Sequence, residues 1–330
     1  MKVKFRWFAA IALAIASFGM SSPSTAAYPD RTITIIVPYT PGGSTDLMAR
    51  ALAERLSDAW GQPVVIANQP GAGGSIGTGR VAKSAADGYT LLMSTNSPLT
   101  SNLALYASLG YETTDLQPVV MVANSPMLMV TTPKLGVKTV KDLIALSKQK
   151  PGQILAGISG NGSTTHLAIA EFSRIADVKF TVVPYRGGAP MMTAMLSGDE
   201  VQVAFNDIVP TLPLVRDARV HALATPQLQR SVVAPEVPTL DEQGMKEFNV
   251  TPWTGVFVPK GTPKEIVDKL NAEINRIFTE PKFKERVISI GQDPVKANSV
   301  AEFSDFVSKE VPRWQTLVRQ TGAKIQDAPN

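Results

Sequence analysis

Apolar and polar positions recur along this chain in one order: a short apolar run, a loop of small residues, then apolar positions at helical spacing. Thr32 to Val37 is a β-branched run closed by Pro38, which predicts a strand. Gly42-Gly43-Ser44-Thr45-Asp46 then opens a helix in which Met48, Ala51, Leu52, Arg55 and Leu56 fall at helical spacing, and Gly61 stops it. Pro63 to Ala67 reads as a second strand, Asn68 to Ser75 as a Gly-rich loop entering another helix, and Tyr89 to Ser94 as a third, buried strand. Such alternation predicts parallel sheets with helices on both faces.

The pattern returns between about Ser125 and Thr225. Val140 to Lys148 is an amphipathic helix and Ile154 to Ile158 a strand. The loop Gly160 to Thr164 leads into a helix through His166, Leu167, Ile169 and Phe172. Thr181 to Val183, Val201 to Phe205 and Val220 to Ala224 read as further strands of a second sheet. Order and length suggest Met127 to Val130 and Trp253 to Val258 as the two crossings between lobes. The tail is helical, with capping boxes at Thr262-Pro263-Lys264-Glu265 and at Ser299-Val300-Ala301-Glu302.

The start of the chain follows another rule. Lys2, Lys4 and Arg6 precede an apolar stretch from Phe8 to Met20, and a Ser/Pro/Thr run ends at Ala26-Ala27. This is the order of a cleavable export signal, with cleavage near Ala27. The apolar part is short of the about 20 residues of a membrane span. The chain has no Cys, which excludes lipid attachment at Cys, disulfides, thiolate metal sites and Cys nucleophiles. The formal net charge of +4 falls to +1 once the three basic leader residues are subtracted (4 − 3). No Lys/Arg cluster interleaves with aromatics, so nothing points to nucleic acid. Neither a phosphate-binding loop nor a metal-spaced His/Asp/Glu cluster occurs, so no cofactor or metal is expected.

Three loops share one design, in which a strand ends, small residues follow and a helix begins: Tyr39 to Asp46, Asn68 to Ser75, and Ser159 to His166. Gly lets backbone approach a ligand, and the first-turn N–H groups then make an anion site without Lys or Arg. Each hydrogen bond to a charged group is worth about 1.5–3 kcal/mol, against about 0.3–1 kcal/mol for an exposed helix dipole. Ionisable side chains near these loop ends are few. Asp46 reads as a helix cap. Arg186 meets either the ligand or an ion-pair partner, and His166 either the ligand or its local backbone. Asp207 either pairs with a ligand ammonium or holds its loop. Gly73-Gly74-Ser75-Ile76-Gly77 fits a serine-hydrolase elbow only poorly, because Pro70 and Gly71 interrupt the strand-to-turn path; it would call on Ser75, Asp207 and His221. Gly73, Gly77 and Gly79 also imitate a dinucleotide loop, but after the second strand rather than the first.

Taken in order, Val37-Pro38-Tyr39-Thr40-Pro41-Gly42-Gly43-Ser44-Thr45-Asp46, Asn68-Gln69-Pro70-Gly71-Ala72-Gly73-Gly74 and Ala86-Asp87-Gly88-Tyr89-Thr90-Leu91-Leu92 resemble the substrate-binding proteins of tripartite tricarboxylate transporters, the Bug family. The resemblance continues through Ser159 to Leu167, Val183-Pro184-Tyr185-Arg186-Gly187, Val237-Pro238-Thr239-Leu240 and Gly261 to Val267, covering nearly all of the chain after the leader. It implies a periplasmic-binding-protein-like α/β fold of type II, a Venus flytrap of two α/β lobes with a ligand cleft and two crossover strands. Residues 1–27 would be the leader, 28–125 with 252–330 one lobe, and 126–251 the other. It implies a monomeric periplasmic receptor, not an enzyme. Such a receptor binds di- or tricarboxylates, acidic amino acids or aromatic acids and docks on the membrane subunits of a cation-driven transporter. An orphan receptor signalling to a sensor protein is the alternative, and a secreted hydrolase a distant third. Carried over, the lips are Tyr39, Gly42, Gly43, Ser44 and Thr45 on one lobe and Ser159, Gly162, Ser163, Thr164 and His166 on the other. The 68–74 loop, with Asn68, Ala72 and Gly73, and Ser94-Thr95-Asn96 line the first lobe; read from their loop-end positions rather than carried over, Arg186, Asn206 and Asp207 are the further candidates in the second. The family pattern has Asp then Asn after Phe205, whereas here Asn206 precedes Asp207, which moves the carboxylate to the other face of an extended segment.

Overall fold

The computed structural model describes residues 28–322. The leader expected over residues 1–27 lies outside them. Strands β1 (Ile33–Val37), β2 (Val64–Asn68), β3 (Thr90–Thr95), β4 (Leu116–Asn124) and β5 (Met127–Thr131) are followed by β6 (Leu155–Ile158), β7 (Thr181–Pro184), β8 (Val203–Asp207) and β9 (His221–Ala224); β10 (Trp253–Pro259) and the short β11 (Asp293–Pro294) close the series. The helices are α1 (Ser44–Trp60), α2 (Ser75–Ala82), α3 (Asn102–Leu105), α4 (Val140–Gln149), α5 (Thr164–Ala176), α6 (Gly188–Ser197), α7 (Ile208–Arg216), α8 (Lys264–Thr279), α9 (Pro281–Ser289) and α10 (Val300–Thr321). None is long and apolar enough to cross a membrane among the described residues.

Two sheets form. One has the order β11-β4-β10-β3-β1-β2 and the other β7-β6-β8-β5-β9. Within each, the parallel strands are those of the βαβ repeats: β2, β1 and β3 in the first, β7, β6 and β8 in the second. The antiparallel strand beside them is the one arriving from the other lobe, β10 against β3 and β5 against β8. The two segments read as crossings therefore become inserted strands, and the links themselves are short, at Ser125-Pro126 and Thr251-Pro252. There the Ser125 amide donates to the Pro252 carbonyl at 2.8 Å and the Ile208 amide to Pro126 at 3.1 Å.

Strand β5 explains why the second sheet is buried on both sides. Met127 and Met129 face one core with Val203 and Phe205, while Leu128 and Val130 face another with Met191, Met195 and Ala204. Period-two alternation sends neighbours to opposite faces, and both faces carry helices. In the first lobe, Trp253, Phe257, Phe303 and Phe306 form an aromatic cluster with centroids 5.3–6.4 Å apart, set on the inserted strand β10.

Helix α10 belongs to both lobes. Phe303 and Val307 sit in the first-lobe core, and Trp314, Leu317 and Val318 in the core of the second. At the changeover stands buried Glu310, whose carboxylate accepts from the indoles of Trp253 (2.9 Å) and Trp314 (2.6 Å) and from Arg313. The capping box at Ser299 forms, with Ser299 Oγ accepting from the Glu302 amide at 3.2 Å and Glu302 returning to the Ser299 amide at 2.7 Å. The box read at Thr262 does not form: Thr262 Oγ1 donates to the Pro259 carbonyl at 2.8 Å, and Pro263 occupies the cap.

Candidate ligand cleft

Ligands of open α/β sheets bind beyond the carboxyl ends of the parallel strands. The loops after β1, β3, β6 and β8 all reach one cleft. It consists of two adjoining hollows of about 420 and 410 Å³, both lined by Thr95, Ser97, Thr164, Asp207 and Pro252. Of the residues picked from sequence, Tyr39, Gly73, Ser159, Gly162, Ser163 and Asn206 line the first hollow, and Gly42 and Ser44 the second.

The lip at 159–166 is held by its own hydroxyls. Thr165 Oγ1 accepts from the Ser159 amide at 2.8 Å and shares hydrogen bonds with Ser159 Oγ at 3.0 Å and Ser163 Oγ at 2.9 Å. Ser163 caps α5, accepting from the His166 amide at 3.3 Å. His166 Nδ1 accepts from the Gly162 amide at 3.1 Å, which leaves the ring proton on Nε2. Burial pushes this imidazole below its ordinary value, so it is neutral at pH 7. Among the described residues the amides of Thr164 and Thr165, first in α5, have no acceptor, as expected of N-terminal helix donors.

The opposing lip is built around Asp46. Its carboxylate is buried and accepts from the Gly42 amide at 2.9 Å, Arg50 Nε at 3.0 Å and Asn68 Nδ2 at 2.9 Å. Burial opposes ionisation, yet these donors, Arg50 foremost, bring the group below the usual carboxylate range. Asp46 is thus structural, but it reaches back from the third helical position to the loop, while Gly43 holds the cap. Asn68 also donates to the Tyr39 carbonyl at 3.1 Å, tying the loop to the end of β2. Tyr39 shares a hydrogen bond with Thr95 Oγ1 at 2.5 Å and turns its hydroxyl toward buried Ser94.

Gly43, Thr45, Asn68, Ala72, Ser94, His166 and Arg186 stand outside the lining of either hollow. Thr45 is buried, Ala72 passes its carbonyl to Asn102 Nδ2 at 3.4 Å, and Arg186 is exposed on the loop after β7. The sequence reading missed Ser97, Ser101, Asn102 and Tyr106 on the first hollow and Gly291 and Gln292 on the second. The first group follows β3, so the strand-end rule was a usable signal. The second comes from the loop before β11, which no local pattern connects to the cleft.

The hydrolase constellation is not assembled. Ser75 is buried at the start of α2 and accepts from Asn102 Nδ2 at 2.9 Å. Asp207 pairs with Met127 on β5, and His221 pairs with Thr131 four residues further along it, about 13 Å away at strand rise. The glycines that imitate a dinucleotide loop serve packing: a Cβ at Gly77 would lie 2.8 Å from the Gln69 carbonyl oxygen, and one at Gly79 3.1 Å from the Tyr111 ring.

Charge on the cleft is sparse. Among the described residues, no Lys, Arg or His lines either hollow, and Asp207 is the charged side chain common to both. Its carboxylate has no hydrogen-bond or ion-pair partner among the described residues. Water in the cleft reaches it, but protein surrounds it on most sides, and this removal from bulk solvent raises its pKa above the usual carboxylate value. Neighbouring Asn206 is buried and donates to Thr211 Oγ1 at 2.9 Å.

Residues 48–323 match the family described as the tripartite tricarboxylate transporter family receptor. The chain is 41% identical over 324 residues to the protein BugT of Bordetella pertussis, covering 97% of this chain and 99% of that one. It is similar to the solved structure of Rpa4515 from R. palustris with adipate, at a TM-score of 0.76 and 34% identity over 90% of this chain and 100% of the other. It is also similar to MatC from Rhodopseudomonas palustris with bound malate, at a TM-score of 0.71 and 30% identity over 88% of this chain and 100% of the other.

Proposed function

Because the chain belongs to the tripartite tricarboxylate transporter receptor family, whose members are solute-binding receptors and not enzymes, we propose that it captures a small carboxylate in the periplasm and delivers it to the membrane subunits of a cation-driven transporter. The observation that carries this reading is the pairing of two helix N-termini from opposite lobes, α1 through Ser44 and α5 through Thr164, on a cleft that no Lys, Arg or His lines among the described residues. Free first-turn amides bind carboxylates by directed hydrogen bonds, each worth about 1.5–3 kcal/mol to a charged group. Adipate and malate in the two similar structures support the same ligand class. Two lobes joined by short links are suited to hinge closure over such a ligand.

The test is a thermal-shift panel on protein expressed from Tyr28, unfolded and refolded to strip carried ligand. The panel holds mono-, di- and tricarboxylates, adipate and malate among them, with amino acids, amides and aromatic acids. A ligand at 100 times its Kd stabilises by about 2.7 kcal/mol, which moves the midpoint by roughly 5 °C at about 2 °C per kcal/mol. Shifts confined to acids are expected. A panel in which no acid moves the midpoint overturns the carboxylate reading.

A further inference from the structure

A carboxylate on a cleft built to receive carboxylates is a contradiction unless something arrives to meet it. Asp207 ends β8 and begins α7, so its position is fixed by a strand on one side and a helix on the other. It lies on both hollows, between the start of α5 at Thr164 and the start of α1 at Gly42 and Ser44. Every other polar group on that lining is a neutral hydroxyl, amide or backbone group. The Met127 side chain, opposite Asp207 in the ladder, offers no donor, and Asn206 Nδ2 donates to Thr211 Oγ1 rather than to Asp207. An ionised Asp207 would repel a plain dicarboxylate. The same group would attract a ligand that carries positive charge beside its carboxylate.

We propose that the ligand is a carboxylate bearing a cationic nitrogen, of the amino-acid or betaine class, and that Asp207 receives the nitrogen while the free amides of α1 or α5 receive the carboxylate. This rests on the reading of the cleft as the ligand site. It makes Asp207 a specificity-determining residue: it selects among carboxylates rather than supplying the general affinity for them. The competing arrangement is a protonated Asp207 donating to one oxygen of a plain dicarboxylate. The two differ in their dependence on pH. The remaining titratable groups near the carboxylate are the phenols of Tyr39 and Tyr106 on the lining and His166 in α5, turned to Gly162; β5 carries none, and Arg216 lies at the far end of α7. Nitrogen capture requires an ionised Asp207 and strengthens or holds as pH rises, whereas a protonated Asp207 loses its dicarboxylate as pH rises.

The experiment is titration calorimetry on refolded protein with matched pairs: aspartate against succinate, glutamate against glutarate, 2-aminoadipate against adipate, β-alanine against propionate, and glycine betaine against acetate. The expected result is at least one pair whose nitrogen-bearing member binds ten-fold or more tightly than its partner. In Asp207→Asn that member weakens by at least ten-fold, and the plain acid binds more tightly once the negative charge is gone. The melting midpoint of the variant reports whether it folds, and the pH series on unmodified protein gives an answer that does not depend on the variant. The proposal is overturned if plain acids bind at least as tightly as their partners, if Asp207→Asn retains the preference, or if affinity falls as pH rises. Failure of the underlying reading looks different, because then no acid of either kind binds.

Discussion

At the scale of single residues, Asp207 and Asp46 show how the same side chain takes opposite roles. Asp46 is buried with three donors and held below the usual carboxylate range, whereas Asp207 meets no donor and is raised by its surroundings. A folded-state pKa above the unfolded value means that the native protein binds more protons in the window between the two. That contribution is fully present below the unfolded value, near 3.9, and is lost as pH rises through the folded one. Ionised Asp207 therefore costs the ligand-free protein stability at neutral pH. Asp207→Asn is expected to raise its Tm at pH 7.5, with the gain disappearing near pH 4; a Tm unchanged or lowered at pH 7.5 would contradict this. Sequence read Asp46 as a helix cap and left Asp207 open between a ligand ammonium and its own loop. Which loop folds back on a carboxylate is set by long-range partners such as Asn68, 22 residues from Asp46.

At the scale of elements, the chain announces itself wherever propensity and periodicity agree and conceals itself where proline intervenes. Helix α1 runs from the predicted Gly-rich start to Gly61, which adopts φ +64° and donates to the Ser57 carbonyl. Strand β4 went unread because Pro118 lies inside it, and β10 accommodates that residue next to a shift in register at Val256/Phe257. Helix α7 contains Pro210 and Pro213; the first sits in the opening turn, where its missing N–H leaves no gap. The start of α7 also makes a contact across the cleft. A Cβ on Gly291 would fall 1.9 Å from Val209 Cγ2, so glycine is what lets the loop before β11 approach that helix. Gly291→Ala should weaken binding of the best ligand from the thermal panel about ten-fold by propping the lobes apart. Val209→Ala in the same chain should restore it. The control is Gly61→Ala, at a similar positive φ with open space around it, which carries the backbone strain of about 1 kcal/mol without the obstruction. Equal affinities for Gly291→Ala and Gly61→Ala would remove Gly291 from the closing surface.

At the scale of the whole molecule, the two lobes are less separable than a linear division of the chain suggests. The chain crosses between them twice, and α10 completes both cores, a sharing that no local pattern announces. Trp314, Leu317 and Val318 are 0%, 7% and 1% exposed. Removing them uncovers apolar surface worth about 1.5–3 kcal/mol per large side chain, a sum comparable with the 5–15 kcal/mol that holds a typical domain folded. A chain ending at Arg313 is therefore expected to lose the fixed packing of residues 126–251, seen as rapid proteolysis there; native resistance in that region would count against a shared core. The lack of basic side chains on the cleft among the described residues has a kinetic side as well. Helix-end dipoles act within about one turn, and residues 28–330 carry a net charge of only +1 (4 − 3), so little field reaches out to draw an anion in from afar. Encounters are then undirected and nearly indifferent to salt. Tight capture has to come from slow escape, and the residence time of the solute becomes the time the lobes take to part.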